Sequence, residues 1–293
     1  MFDIIRTSLR TGRVTEPYPG QPKVGGGRGR PWIDLDRCDT TGSCVEACPS
    51  GAITLSPVGA VPRRWQLDIA RCVSCGLCEE ACSKGAIAMV PEFELATRSR
   101  EELIVGVSHG PVIAGGSGAT AQAPVSLGTL REIGDLGDGV DRLQRRIRLL
   151  LRRSLHIRHM AAGSDNSCDW EISALLNPIY DVQRLGIDFV ASPRHADLLL
   201  VTGAVTRHLE PALRATYEAM PWPRLVVAAG DEACGGGVLQ GSYAVAGGVD
   251  RCLPVDAYIP GDPPSPQALI YGLLVAVGRL EPKMKRTELS APH

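Results

Sequence analysis

The sequence predicts two joined units, a small α+β domain followed by an α/β domain built on a parallel sheet. Three observations predict it. Seven of the ten cysteines fall between Cys38 and Cys82, an internal repeat runs through that stretch, and beyond about residue 140 helices alternate with short apolar strands. The last pattern is that of a parallel sheet covered on both faces. With 293 residues, 44% of them apolar and 22% charged, the chain is large and apolar enough for two ordinary cores.

Composition removes several function classes. A net charge of −1 and 4% aromatic residues supply neither the basic field nor the stacking surfaces of a nucleic-acid binder. The longest nearly unbroken apolar stretch, Ala268 to Val277, is far short of the roughly 20 residues a transmembrane helix needs. The N-terminus carries Asp3, Arg6, Arg10 and Arg13 without the apolar run of a signal peptide, so a cytoplasmic chain is expected. In that reducing compartment a cysteine clump is expected to bind metal rather than to form disulfides.

Taken in order, residues 1–30 read as an amphipathic or extended segment, with Phe2, Ile5 and Leu9 set among arginines. Residues 31–98 hold the repeat. At a shift of 34, Asp34-Leu-Asp-Arg-Cys38 lies over Asp68-Ile-Ala-Arg-Cys72, and Val45-Glu-Ala-Cys-Pro-Ser-Gly-Ala-Ile53 lies over Glu79-Glu-Ala-Cys-Ser-Lys-Gly-Ala-Ile87. Each copy reads as strand, cysteine loop, helical turn and second strand, with Gly51 and Gly85 closing the turn.

The second copy has the spacing Cys72-x2-Cys75-x2-Cys78-x3-Cys82 of a bacterial-type ferredoxin domain, in which three thiolates of one loop hold three irons and the fourth cysteine reaches the other cluster. Cys48, Cys72, Cys75 and Cys78 are therefore expected to bind a 4Fe-4S cluster. Zinc also accepts thiolates at such spacings, but the interlocking repeats and the pair Cys48-Pro49 point to iron–sulfur. In the first copy Thr41 stands where a fourth thiolate belongs. Cys38, Cys44 and Cys82 could hold a 3Fe-4S cluster, a 4Fe-4S cluster completed by water or another donor, or nothing.

Glu92 to Leu103 reads as a short helix, and 99–139 as a flexible linker richest in Gly, Ala, Ser and Pro from Gly110 to Gly128. Residues 140–293 form the second domain. Its expected elements are a basic amphipathic helix from Asp141 to Ile157, a helix near Ile172 to Leu185 and strands near Ile187 to Ala191 and Asp197 to Val201. A helix from Thr206 to Met220, a strand from Leu225 to Ala229 and a last helix capped by Ser265 follow. The basic helix would face anionic lipid, a partner subunit or solvent. Sites in such folds form at the carboxyl ends of the strands. Here those loops carry Gly230-Asp-Glu-Ala-Cys-Gly-Gly-Gly237 and Ile259-Pro-Gly-Asp-Pro-Pro264.

The segment Ser154-Leu-His-Ile-Arg-His-Met-Ala-Ala-Gly-Ser-Asp-Asn-Ser-Cys-Asp-Trp-Glu-Ile172 resembles the small subunit of energy-converting nickel-iron hydrogenases. So do Asn177 to Gly186, Ala191 to Leu198, Gly248 to Arg251 and Tyr258 to Pro264. The formate hydrogenlyase type is nearest, with the cluster-bearing B subunit of complex I (NADH-quinone oxidoreductase) a relative. The first half, with Thr15-Glu-Pro-Tyr-Pro19, Gly29-Arg-Pro-Trp32 and Phe93-Glu-Leu-Ala-Thr97 at its flanks, is similar to the ferredoxin-like subunit of the same complexes, so the chain looks like a fusion of two subunits. The resemblance implies a flavodoxin-like second domain that binds one more four-iron cluster through four cysteines. Carried onto this chain, those positions are Asp165, Cys168, Glu232 and Asp262, and three carboxylates are poor donors for an iron–sulfur core. That cluster is read as lost. The carboxylates could instead gather a hard cation or relay protons. Glu171 matches a family glutamate implied to contact the large subunit and serve a proton route, although an acidic residue in a first helical turn is also unremarkable. His156 and His159 are read as structural, and Cys168, Cys234 and Cys252 as small buried residues.

The function implied is an iron–sulfur electron-transfer subunit of an oxidoreductase complex, peripheral on the cytoplasmic face of the membrane, with a hydrogenase-like large subunit and membrane subunits as partners. It would catalyse nothing alone and bind no nucleic acid. The alternative is a structural adaptor that docks the large subunit without passing electrons through its second domain. A freestanding reductase is disfavoured, because Gly25-Gly-Gly27 and Gly235-Gly-Gly237 match no flavin or nucleotide fingerprint.

Overall fold

The computed structural model describes residues 28–56, 63–109, 154–163 and 166–283, with 10–12, 14–16 and 18 ahead of them. The expected basic helix up to residue 153, the N-terminal Phe2, Ile5 and Leu9, the stretch 110–139 and Asp165 lie outside the described residues.

The repeat folds as two interleaved copies. Strands β1 (Arg30–Ile33) and β4 (Ile87–Val90), the first of one copy and the last of the other, pair antiparallel, and β2 (Ile53–Leu55) pairs with β3 (Arg63–Asp68). Short helices α1 (Ser43–Glu46) and α2 (Leu77–Glu80) follow the two cysteine loops. The copies also clasp each other: the Arg37 guanidinium donates to Lys84 O at 3.1 Å, and its counterpart Arg71 donates to Ser50 O.

Two expectations are corrected just downstream. Residues 92–103 are not a helix, apart from a 3-10 turn at Glu101–Leu103. They run extended across the second domain, where Thr97 N–H donates to Tyr258 O at 3.1 Å and Tyr258 N–H returns the bond at 2.9 Å. Leu95, Ala96 and Thr97 are buried there, an environment that local propensity does not report. Residues 104–109 of the expected 99–139 linker form strand β5 (Ile104–His109), which extends the sheet to β2-β3-β5.

In the second domain five parallel strands lie in the order β12-β10-β8-β6-β7: Ala257–Ile259, Leu225–Ala229, Leu198–Thr202, Leu155–Ala161 and Ile187–Phe189. Counted from the domain's own first strand, this is 2-1-3-4-5. Leu155 and Ile157, expected to end a helix, thus begin a strand whose alternate residues point inward. The two central strands, β8 and β10, are buried at every residue, which is why they read as unbroken apolar runs. Leu199, Val201, Val226 and Ala228 face a core shared with Trp65, Leu67 and Ile69 of the first domain. Leu198, Leu200, Leu225 and Val227 face α6 (Pro266–Ala276).

Helix α6 begins where expected, with Ser265 Oγ accepting Ala268 N–H at 3.3 Å. It is buried at every residue because strands cover one side and the extended segments containing Tyr18, Phe93 and Ala96 cover the other. Burying each large side chain there contributes roughly 1.5–3 kcal/mol. The remaining helices are shorter than expected. Helix α3 spans Ser167–Ala174, with only a 3-10 turn at Val182–Leu185, and α4 spans Glu210–Glu218 after a two-residue strand β9 (Val205–Thr206) that pairs with β11 (Val245–Gly247). Pro178 and Pro211 mark these revisions, since proline removes a helix donor inside a helix and is tolerated in its first turn.

Candidate metal centre

The second cysteine loop bends through Ser74 (φ 51°) and Gly76 (φ 83°), two left-handed residues that turn successive side chains toward one point. Cys48, Cys72, Cys75 and Cys78 line a small cavity of about 20 Å³, with Pro31, Ile53, Leu67, Val73 and Met89 among its other walls. Burial pushes the Cys72 thiol up to about 11, with further increases from Cys48, Cys75 and Asp231. Burial likewise pushes Cys78 up to about 12, reinforced by Cys72, Cys75 and Cys48. The Cys72 and Cys78 thiols thus resist ionisation on their own, and a cationic iron core would supply the charge that makes them thiolate ligands. Cys48 Sγ also accepts Ala52 N–H at 3.3 Å, the kind of bond that stabilises a coordinated sulfur. The donor set fits a 4Fe-4S core. Among the described residues no three His, Cys, Asp or Glu side chains are set around a single metal ion.

The other ferredoxin position gathers Cys38, Cys44 and Cys82. Burial raises the Cys44 thiol, and both neighbours raise it further. Cys82 Sγ accepts Ala86 N–H at 3.2 Å, as Cys48 does from Ala52. Thr41 offers no thiol, and its hydroxyl donates to Asp39 Oδ1 at 2.9 Å.

The third position sits at the carboxyl ends of β6, β10 and β12. Cys168 lies in the first turn of α3, Glu232 in α5 (Asp231–Gly235) and Asp262 in the loop after β12. A β-carbon on Gly230 would lie 2.8 Å from Cys168 Sγ, so this glycine lets the thiol approach the loop. Burial pushes Cys168 up to about 12, with Asp231, Asp262 and Glu232 adding to it. The fold therefore brings Cys168, Glu232 and Asp262 near one another, and adds Asp231, which sequence reasoning passed over. Asp231 is 3% exposed, and burial followed by the charges of Asp262 and Glu232 pushes its carboxyl up to about 8. The signal available was its place beside Glu232 at the start of a helix in a glycine-rich loop. Cys234 points elsewhere: it is fully buried and its thiol donates to Ala228 O at 3.4 Å, so it does not stand in for Glu232. One thiol among carboxylates does not fit a four-iron core.

The first and third positions face each other across the domain contact. The turn Ile69–Arg71, which leads into Cys72, packs on α5, and a β-carbon on Gly235 would lie 2.6 Å from Ala70 O. Elsewhere, Glu171 is partly buried on α3, and burial raises its carboxyl. His159 Nε2 lies 3.1 Å from Asp169 Oδ1 and 3.0 Å from Thr202 Oγ1, tying β6 to α3 and β8 in the structural role expected. His156 sits beside Asp197, with 3.7 Å between its Nδ1 and the carboxylate.

Comparison with known proteins agrees with this division. Residues 37–86 match the 4Fe-4S dicluster domain, and residues 166–276 match the 20 kDa subunit of NADH ubiquinone oxidoreductase. The chain is 47% identical over 137 residues to formate hydrogenlyase subunit 7 of Escherichia coli, covering 46% of this chain and 52% of that protein, about half its length. It is 42% identical over 147 residues to "Probable membrane-bound hydrogenase subunit mbhJ" of Pyrococcus furiosus, covering 49% of this chain and 88% of that one. A chain in the structure of the membrane-bound sulfane sulfur reductase, an archaeal respiratory membrane complex, matches at 31% identity and TM-score 0.39, over 50% of this chain and 76% of that chain. The chain belongs to the family that unites membrane-bound hydrogenase small subunits with the 20 kDa subunit of NADH ubiquinone oxidoreductase, and it carries a 4Fe-4S dicluster domain ahead of that unit.

Proposed function

We propose that this chain is an iron–sulfur electron-transfer subunit of a membrane-associated complex related to energy-converting hydrogenases, formate hydrogenlyase and complex I. The observation that carries the reading is the apolar cavity ringed by Cys48, Cys72, Cys75 and Cys78. A 4Fe-4S core held there supplies a one-electron carrier. The chain's part is to hold it, exclude water with Ile53, Leu67 and Met89, and place it against the second domain. The ferredoxin-type unit takes in 31–98 together with β5, and 140–293 is the hydrogenase-type unit. The strand order 2-1-3-4-5 supports a flavodoxin-like sheet for the latter. Its partners are a hydrogenase-like large subunit and membrane subunits, with the chain peripheral on the cytoplasmic face. Among the described residues no helix is long and apolar enough to cross a membrane. Glu171, raised by burial, serves a proton route toward the large subunit.

The carboxylates around Cys168 favour a second reading for residues 140–293 alone, an adaptor that docks the large subunit while electrons stay in the first domain. Anaerobic purification of the complex, with iron and sulfide analysis and EPR, tests both. Under the first reading Cys78→Ser removes the reducible four-iron signal and stops electron delivery while assembly persists. Unchanged delivery in that variant takes the Cys78 cluster out of the electron path and overturns the first reading, and a stable lone monomer without iron overturns both.

A further inference from the structure

The two cysteine loops follow one backbone path. Thr40 and Ser74 take φ of 60° and 51°, Gly42 and Gly76 follow with 81° and 83°, and helices begin at Ser43 and Leu77. Gly51 and Gly85 close both copies at 58° and 54°. Non-glycine residues rarely adopt such angles, so a loop that kept them after losing its fourth thiol retains a built cradle. Thr41 stands where Cys75 stands in the other copy, and Asp39 where Val73 stands.

Three features show that the cradle is still furnished. Cys38, Cys44 and Cys82 remain together, and Cys82 keeps its bond from Ala86 N–H. Trp65 is fully buried beside Cys44, and its indole N–H makes no hydrogen bond of ordinary geometry. A buried donor without a partner is costly, and a cluster sulfur held by Cys44 would give it an acceptor. At the open end Asp39 Oδ1 accepts both Thr41 N–H, at 3.2 Å, and Thr41 O–H, at 2.9 Å. Asp39 and Thr41 are exposed, so this end of the cradle opens to solvent.

We propose that Cys38, Cys44 and Cys82 hold a cuboidal 3Fe-4S core whose fourth corner is an exchangeable divalent-metal position, closed by the Asp39 carboxylate in place of a thiolate. This rests on the reading that the first domain ligates iron–sulfur cores. The reduced, neutral 3Fe-4S core takes up one ferrous ion to give a 4Fe-4S core of charge 2+, and no electron is exchanged in that step. Asp39 leaves the Thr41 hydroxyl and gives an oxygen lone pair to the incoming metal. Because carboxylate binds ferrous iron less tightly than thiolate does, the corner empties as free iron falls.

The test uses the full chain, purified anaerobically and followed by EPR, since a 3Fe-4S core is paramagnetic when oxidised and a 4Fe-4S core when reduced. The oxidised protein is expected to show a three-iron signal. After dithionite reduction, ferrous ion should convert it to a second four-iron signal. In Asp39→Ala and Asp39→Asn the three-iron signal stays, and conversion needs about tenfold more iron or greater. In Thr41→Cys four irons are retained through oxidation. A lone four-iron signal from the other site overturns the proposal and leaves the proposed function standing. Conversion unaffected in both Asp39 variants overturns the role of Asp39, and the absence of every cluster signal overturns the functional reading itself.

Discussion

Gly235 lies so close to Ala70 that a β-carbon on it would sit 2.6 Å from the Ala70 carbonyl oxygen and 2.8 Å from Arg71 Cγ. Both neighbours belong to the turn that delivers Cys72, and one of them is backbone that cannot swing aside. Gly235→Ala should therefore destabilise the chain by about 1–3 kcal/mol through overpacking. Urea unfolding of the whole chain checks this, and an unchanged midpoint would mean that the contact is slack.

Asp231 gives the stability a pH dependence of unusual sign. Its carboxyl moves from 3.8 to about 8 on folding, so the native state holds a proton that the unfolded chain has released. The contribution is fully present below about pH 4 and is lost as pH rises through 8. Asp231→Asn keeps a neutral side chain throughout. The variant should be more stable than the parent at pH 8, with a flatter stability profile from pH 5 to 8. Parallel slopes for the two proteins would sink this assignment.

The strap over the second domain depends on both polar groups of Thr97. Replacing it by proline removes the N–H that donates to Tyr258 O and leaves a buried carbonyl without its donor, at a cost of about 1–3 kcal/mol. Thermal unfolding should register the loss. Thr97→Val, which keeps the backbone donor but not the side-chain bond to Ser99 O, should lose less.

Gly230→Ala should act on the thiol end of the carboxylate cluster. The new methyl would meet Cys168 Sγ at 2.8 Å, and Gly230 has φ of 95°, so strain and contact add. Reduced stability is expected, with partial recovery in the double variant carrying Cys168→Ala. A double variant no better than the single one would assign the whole effect to the backbone.

The repeat was legible because cluster loops impose fixed spacings and fixed glycines, which survive as letters at a shift of 34. The central strands were legible because burial on both faces writes Leu198 to Val201 and Leu225 to Ala229 as apolar runs. Residues 92–103 misled because the tertiary pairing of Thr97 with Tyr258 outweighs a helical local pattern. Leu155 and Ile157 misled for a related reason: Ile147, Leu151 and Leu155 continue a helical spacing of four up to the point where a spacing of two begins a strand. Asp231 escaped because a buried acid looks like any solvated acid until its neighbours are known.

Tyr18 and Ala96 come from the first half of the chain yet sit in the core beneath α6. The covalent tie between the halves therefore does more for stoichiometry than for recognition. A chain cut within the connector would leave two polypeptides whose mating surfaces are already complementary, and the tie only raises their effective concentration. Fusion guarantees one copy of the first unit for every copy of the second.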